Sequence, residues 1–296
     1  MDFLKGIGVA IITPFKKSGE IDFGAYRSLI DFYVNNGINY LVVLGTTGES
    51  NSVNFEEKDK IFECVVKSNR GRLPLVAGFG GNNTQKIVNE FSNFDMKNFS
   101  AILSVCPYYN RPSQEGIYQH FSHIANATPL PLILYDVPSR TGVSISNQTI
   151  FKLLEKFENI VGIKDATGNI SKGLELLKNS PKNFHVISGD DLTALELVLN
   201  GGSGVISVVA GAFPLEFSNI INLAKENKTQ EAAQKFKKIK NIIELLFKEG
   251  NPAGIKALLS IMGYCKNILR LPLTPVNKNL YFEIKEKLKV FQKNLL

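Results

Sequence analysis

Ile160-Val161-Gly162-Ile163-Lys164-Asp165-Ala166-Thr167 is a short, nearly apolar run rich in β-branched residues. It reads as a strand buried on both faces, which is the signature of a parallel sheet. Helical spacing surrounds it, in Asn147–Phe157 before and Ser171–Leu177 after. Working outward, the same unit recurs. Strands are predicted at Gly8–Phe15, Tyr40–Gly45, Leu73–Gly80, Ala101–Tyr109, Pro131–Pro138, Phe184–Asp190 and Gly204–Ala210. Helices are predicted between them at Phe23–Asn36, Asn54–Ser68, Thr84–Phe94, Gln114–Asn126 and Thr193–Leu199, and an eighth at Pro214–Glu226. Eight strand-helix units favour an α/β fold of the closed (β/α)8 kind, a TIM barrel, over an open doubly wound sheet. No Gly-x-Gly-x-x-Gly follows the first strand, which weighs against a dinucleotide fold. Three further helices, Thr229–Phe247, Pro252–Met262 and Asn279–Leu295, follow without an evident linker. The expected division is a barrel over residues 1–226 and a C-terminal helical subdomain, 227–296, packed on it.

Composition agrees with a large globular core: 296 residues, 44% hydrophobic and 21% charged. The net charge of +7 is spread along amphipathic stretches such as Lys235–Lys240, so no nucleic-acid partner is expected. Cys64, Cys106 and Cys265 are odd in number and lack close spacing. They indicate neither a disulfide framework nor a zinc site, and a reducing, cytoplasmic setting fits. Met1–Phe15 reads as a first strand, not a signal peptide, and no apolar stretch is long enough to span a membrane.

The charge inside the opening run is the chemical clue. A buried ammonium costs several kcal/mol unless it is paired or neutralised. Desolvation can strip a lysine of its proton and free the lone pair for attack on a carbonyl. A strand-end lysine that snorkels to water is the plainer alternative. Convergence favours the chemical reading. In such barrels the active site lies at the C-terminal strand ends. Thr46 and Thr47 follow the second strand there, Tyr108 and Tyr109 the fourth, and Arg140 the fifth, while Tyr135 and Lys164 sit late in the fifth and sixth. An amine can form an imine with a keto acid, hydroxyls can pass protons, and a guanidinium can grip a carboxylate through two parallel hydrogen bonds. Backbone amides of Gly45–Gly48 can hold a second carboxylate.

Four motifs in order make the pattern specific: Gly45-Thr46-Thr47-Gly48-Glu49-Ser50, Pro107-Tyr108-Tyr109-Asn110-Arg111-Pro112, Tyr135-Asp136-Val137-Pro138-Ser139-Arg140-Thr141-Gly142 and Gly162-Ile163-Lys164-Asp165-Ala166. They resemble the dihydrodipicolinate synthase family of class I aldolases, over Gly6 to about Thr274. The resemblance implies a lyase of lysine and diaminopimelate biosynthesis that condenses pyruvate with L-aspartate 4-semialdehyde, without metal or organic cofactor. It implies a covalent imine of Lys164 with pyruvate, and Tyr135 as proton donor and acceptor. Thr46 would link Tyr135 to Tyr109 of a neighbouring subunit. Thr47 would bind the pyruvate carboxylate, Ile206 would line the pyruvate pocket, and Arg140 would bind the semialdehyde. Members are usually homotetramers built from two tight dimers.

Two positions depart from the pattern: Asp136 stands where Asn is commoner, and Asp165 where Glu is commoner. The Lys-Asp pair also occurs in sister sugar-acid aldolases and N-acetylneuraminate lyases, from which Arg140 and Tyr109 discriminate. A non-catalytic barrel that senses keto acids is a further alternative. Relatives inhibited by L-lysine carry His, His and Glu where this chain has Phe55, Lys58 and Lys86, although Ser50, Asn82 and Tyr108 match. Two extra cations and a missing carboxylate oppose a cationic effector, so little inhibition by L-lysine is expected. His120 and His123, one helical turn apart, lack a third ligand and read as a surface helix. Gly201–Gly204 precedes the last strand and reads as a tight turn at the face away from the chemistry; Gly78–Asn83 follows the third strand at the catalytic face.

Overall fold

The computed structural model describes residues 1–293. Eight parallel strands close into a barrel in sequence order, with β8 returning to β1. They are β1 (Ile7–Ala10), β2 (Tyr40–Val43), β3 (Leu75–Gly78), β4 (Ala101–Val105), β5 (Leu132–Asp136), β6 (Ile160–Asp165), β7 (His185–Ser188) and β8 (Gly204–Ser207). Almost every strand residue is buried because the sheet is covered on both sides. Alternation sorts the side chains. Tyr40, Val42, Val76, Leu103, Ile133, Ile187 and Ile206 fill the barrel interior. Leu41, Val43, Leu75, Ala77, Ile102 and Val205 face the helices and join the larger core. At the bottom Tyr40 lies across Gly8, its partner in register, where an added Cβ would collide with the ring. Phe3 closes that end, edge-on to Tyr40.

The helices are α1 (Phe23–Val34), α2 (Phe55–Asn69), α3 (Thr84–Glu90), α4 (Gln114–Ala127), the single-turn α5 (Pro138–Thr141), α6 (Asn147–Lys156), α7 (Ile170–Asn179), α8 (Ala194–Leu199) and α9 (Pro214–Lys225). Their starts are written locally. Asp22, Asn54, Asn83, Ser113, Ser146 and Asn169 each accept a hydrogen bond from a first-turn amide. Asn54 and Glu57 form a reciprocal capping box.

The tail comprises α10 (Thr229–Phe247), α11 (Ala253–Ile261) and α12 (Lys278–Lys293). The helix predicted over Asn279–Leu295 is seen to Lys293, and its last two residues lie outside the described ones. α10 lies against α9 and α12, and α11 against α10 and α12. Long polar contacts run from the tail to the catalytic end of the barrel. The Arg270 guanidinium donates to Glu57 and to the carbonyls of Gly19 and Ser52. Among the described residues no helix is long and apolar enough to cross a membrane.

The predicted strands run longer than the observed ones at their C-terminal ends. The apolar residues that follow are buried beyond the assigned strands: the Phe79 and Cys106 amides still donate to the neighbouring strands, while Val209 and Ala210 turn into a short 3-10 helix. β1 stops at Ala10, with the Ile11 amide making a last bond to the Val42 carbonyl; beyond Pro14, which has no amide to pair, Phe15 bridges to Ile21. The single-turn helix α5, which carries Arg140, has no counterpart among the predicted elements.

Candidate active site

β5 and β6 run in parallel register with Tyr135 opposite Lys164 and Asp136 opposite Asp165. Both Tyr135 and Lys164 are buried at the C-terminal end of the barrel. The Lys164 Nζ lies 4.3 Å from the centre of the Tyr135 ring. Room for the lysine stem comes from Gly189, after β7: a Cβ there would sit 2.9 Å from Lys164 Cγ and Cε. Gly189 belongs to Ser188-Gly189-Asp190-Asp191, which in sequence looks like an ordinary turn.

Above this pair opens a cavity of about 340 Å3 lined by Gly45, Thr46, Ser50, Leu103, Val105, Tyr108, Tyr135, Arg140, Asn251 and Pro252 among others. It has the size and mixed lining of a small-molecule site. Thr46, Tyr135 and Arg140 all line it, whereas Lys164, Thr47 and Ile206 do not. Lys164 adjoins it through Tyr135. Ile206 is buried in the barrel interior on β8. Thr47 is buried, and its Oγ1 accepts a hydrogen bond of 2.9 Å from Asn251 Nδ2. Arg140 Nη2 donates to the Asn251 carbonyl at 3.0 Å. Asn251 therefore ties the turn after β2 to the loop after β5. Sequence reasoning does not single it out, since its partners lie 204 and 111 residues away.

The predicted relay is not closed within one chain. Among the described residues no hydrogen bond joins Thr46 to Tyr135 or to Tyr109. Tyr109 does not line the cavity; it is 84% exposed on a backbone with φ of 76°. A large aromatic side chain held in the left-handed region and offered to solvent is costly.

Charge around the site is organised by buried pairs. Asp136 is fully buried, forms an ion pair with Lys172 and accepts from Ser144 Oγ at 2.6 Å. Lys172 also donates to the Ile145 carbonyl at 2.6 Å. The carboxylate that departs from the family pattern at 136 thus has its own cation, which anchors the Ser144–Ile145 segment beyond Arg140. Burial pushes the Asp165 carboxyl up, against hydrogen bonds from Thr167. Asp191 is fully enclosed; burial pushes it up to about 6, although it accepts from the amides of Val208 and Val209. Burial likewise raises the Cys106 thiol.

The positions matched to the effector site are divided between the cavity and the surface beside it. Ser50 and Tyr108 line the cavity. Asn82 and Lys86 are exposed. Phe55 packs on Phe94, ring centres 4.9 Å apart. Lys58 Nζ lies 2.7 Å from Glu90 and over the rings of Phe79 and Phe94. The histidines correct one expectation. His123 is exposed as predicted, but His120 is buried, with Nδ1 2.8 Å from Thr84 Oγ1. Burial lowers the His120 imidazole to about 4. No cluster of three or more potential metal ligands occurs among the described residues. Gly201–Gly204 joins α8 to β8 at the opposite end, as expected.

A family model described as the dihydrodipicolinate synthetase family matches residues 3–291. The chain belongs to the dihydrodipicolinate synthetase family. Curated relatives in that family include the 4-hydroxy-tetrahydrodipicolinate synthase of Flavobacterium psychrophilum, 46% identical over 98% of both chains. The synthase of Azobacteroides pseudotrichonymphae is 48% identical over 98% of both. Among solved structures, the dihydrodipicolinate synthase of Aquifex aeolicus superposes with a TM-score of 0.94 at 39% identity, covering 97% of this chain and 98% of its own. The family's lyase chemistry is of the class I aldolase type, with a lysine imine and no added cofactor.

Proposed function

We propose that this chain condenses pyruvate with L-aspartate 4-semialdehyde, the reaction of the 4-hydroxy-tetrahydrodipicolinate synthases. The observation that carries the reading is the apposition of Lys164 and Tyr135 across β5 and β6 beneath a cavity that Arg140 borders. Lys164 Nζ attacks the keto carbon of pyruvate, and water leaves to give the imine. The protonated imine draws electrons from the adjacent methyl, which loses a proton and becomes an enamine carbon. Tyr135 stands within reach to pass protons to and from the reacting oxygen and nitrogen. The enamine attacks the aldehyde carbon, forming the new carbon–carbon bond. The substrate's own amine then displaces Lys164 as the ring closes, which restores the free lysine.

The other roles belong to the same proposal. The Thr47 hydroxyl and the amides of the Gly45–Gly48 turn hold the pyruvate carboxylate, and Ile206 bounds the pyruvate methyl. Arg140 binds the carboxylate of the semialdehyde. Tyr109 completes the Tyr135–Thr46 relay in a neighbouring subunit, a role its exposure supports. The assembly is a homotetramer of two such dimers, working in the cytoplasm. Lys58, already paired with Glu90 between two aromatic rings, leaves no anionic partner for an L-lysine ammonium, so the enzyme escapes feedback control. The barrel of residues 1–226 carries the chemistry, and the helices between Thr229 and Lys293 brace its mouth.

Reduction with borohydride in the presence of pyruvate, followed by peptide mass analysis, tests the assignment. One adduct is expected on the peptide bearing Lys164, and none in Lys164→Ala. A wild-type protein whose mass does not change overturns it.

A further inference from the structure

Glu49 combines two unfavourable features. Its backbone lies in the left-handed region, φ 53° and ψ 39°, where a glycine is cheaper than a glutamate. Its carboxylate is buried and forms an ion pair with Lys256, a side chain wholly removed from solvent. Buried ion pairs contribute little net stability, and apolar pairs of the same size are often as good or better. A strained backbone that carries a buried charge persists where the surrounding structure fixes it for a purpose.

The surroundings show what is fixed. Lys256, on α11, donates to the Ile268 carbonyl at 2.9 Å, and its Nζ stands 4.2 Å from the centre of the Phe15 ring. The other Glu49 oxygen accepts from the Arg270 amide at 3.1 Å. The Glu49 amide donates back to the Thr46 carbonyl, and Thr13 Oγ1 donates to the Gly48 carbonyl at 2.6 Å. The turn whose amides and Thr47 hydroxyl are assigned to the pyruvate carboxylate is therefore gripped at its last residue by a charge from the tail.

We propose that Glu49 and Lys256 are positioning residues that set the Thr46 and Thr47 amides and the Thr47 hydroxyl for the keto-acid carboxylate. This rests on the function proposed above. The pair acts through the turn and touches no reacting atom. The Thr46 and Thr47 amides and the Thr47 hydroxyl move apart when the turn relaxes toward ordinary backbone angles, which weakens capture of the acid without removing the amine that reacts with it.

The test is the double variant Glu49→Gln/Lys256→Met, which replaces both charges with side chains of similar size and leaves no buried charge unpaired. The readout is the pyruvate concentration giving half-maximal borohydride-trapped adduct, measured beside the melting temperature. A rise of about tenfold or more in half-saturation is expected, with melting unchanged or higher and full adduct at saturating pyruvate. Should the double variant not fold, Glu49→Gln/Lys256→Gln, which likewise leaves no buried charge unpaired, carries the same comparison. A folded variant whose half-saturation matches the parent overturns the proposal. A parent chain that traps nothing overturns the functional assignment, and this proposal with it.

Discussion

Replacing Asp191 with asparagine should make the protein more heat-stable well above pH 6 and somewhat less stable near pH 4. Asp191 is fully buried, and burial moves its carboxyl from 3.8 to about 6. A raised folded-state value means that this group stabilises the fold most below its unfolded value and that the contribution is lost as pH rises through the folded one. The window is therefore roughly pH 4 to 6, and the shift corresponds to about 3 kcal/mol against the ionised folded form at pH 8. The asparagine side chain would keep an oxygen for the Val208 and Val209 amides, which now donate to Asp191 Oδ2 at 3.1 and 2.8 Å. Its amide nitrogen would sit where Asp191 Oδ1 has no partner. That costs about 1–2 kcal/mol at every pH and cancels when one pH is compared with another. For a chain of this length, unfolding entropy is about 0.6 kcal/mol/K, so the melting-temperature difference between variant and parent should widen by about 5 °C between pH 4 and pH 8. Differential scanning calorimetry of both proteins across that range gives the number. A difference that stays flat, or narrows toward alkaline pH, would refute the placement of an enclosed carboxyl at this point.

Three further expectations bear on the site. Arg140→Ala should raise the KM for the semialdehyde by about tenfold or more through loss of a charge-assisted contact, while pyruvate trapping on Lys164 is unaffected; steady-state kinetics with both substrates separates the two. Lys172→Met strands Asp136 as a buried lone carboxylate and should cost about 3–5 kcal/mol in urea unfolding, whereas Asp136→Asn/Lys172→Met should recover most of it. Submillimolar L-lysine should leave turnover unchanged; a clear inhibition curve in that range would show that the Lys58–Glu90 pair gives way to the effector.

The barrel is readable because its strands are buried on both faces. Runs such as Leu132–Asp136 and Ile160–Asp165 stand out by apolarity alone, and capping residues mark the helices between them. Strand ends are harder. Val208–Ala210 is as apolar as β8 itself, yet its amides turn toward Asp191 and Ser207, a choice made by partners distant in the chain or folded back on it. Candidate residues at strand ends, Lys164, Tyr135 and Thr46, follow from topology plus chemistry. Gly189, Glu49, Asn251 and Lys256 do not, because each matters through what it touches across the fold. A glycine that clears space for a lysine stem looks like any turn glycine, and Lys256 looks like any of the many surface lysines until its burial is known. His120 misleads for the reverse reason: a histidine near a helix's polar stripe reads as solvated, but Thr84 and Phe121 enclose it.

The grip of Arg270 and Lys256 on the first loops has a consequence for how the molecule is made. While the chain is still threading from the ribosome at residue 250, all eight strands have emerged or are about to, yet Glu49 has no cation to meet it and Glu57 no guanidinium. The nascent barrel must wait for the closing stretch of its chain before its mouth takes shape, so a message cut short there yields a polypeptide with every reactive group in place and no finished vessel to hold the acid.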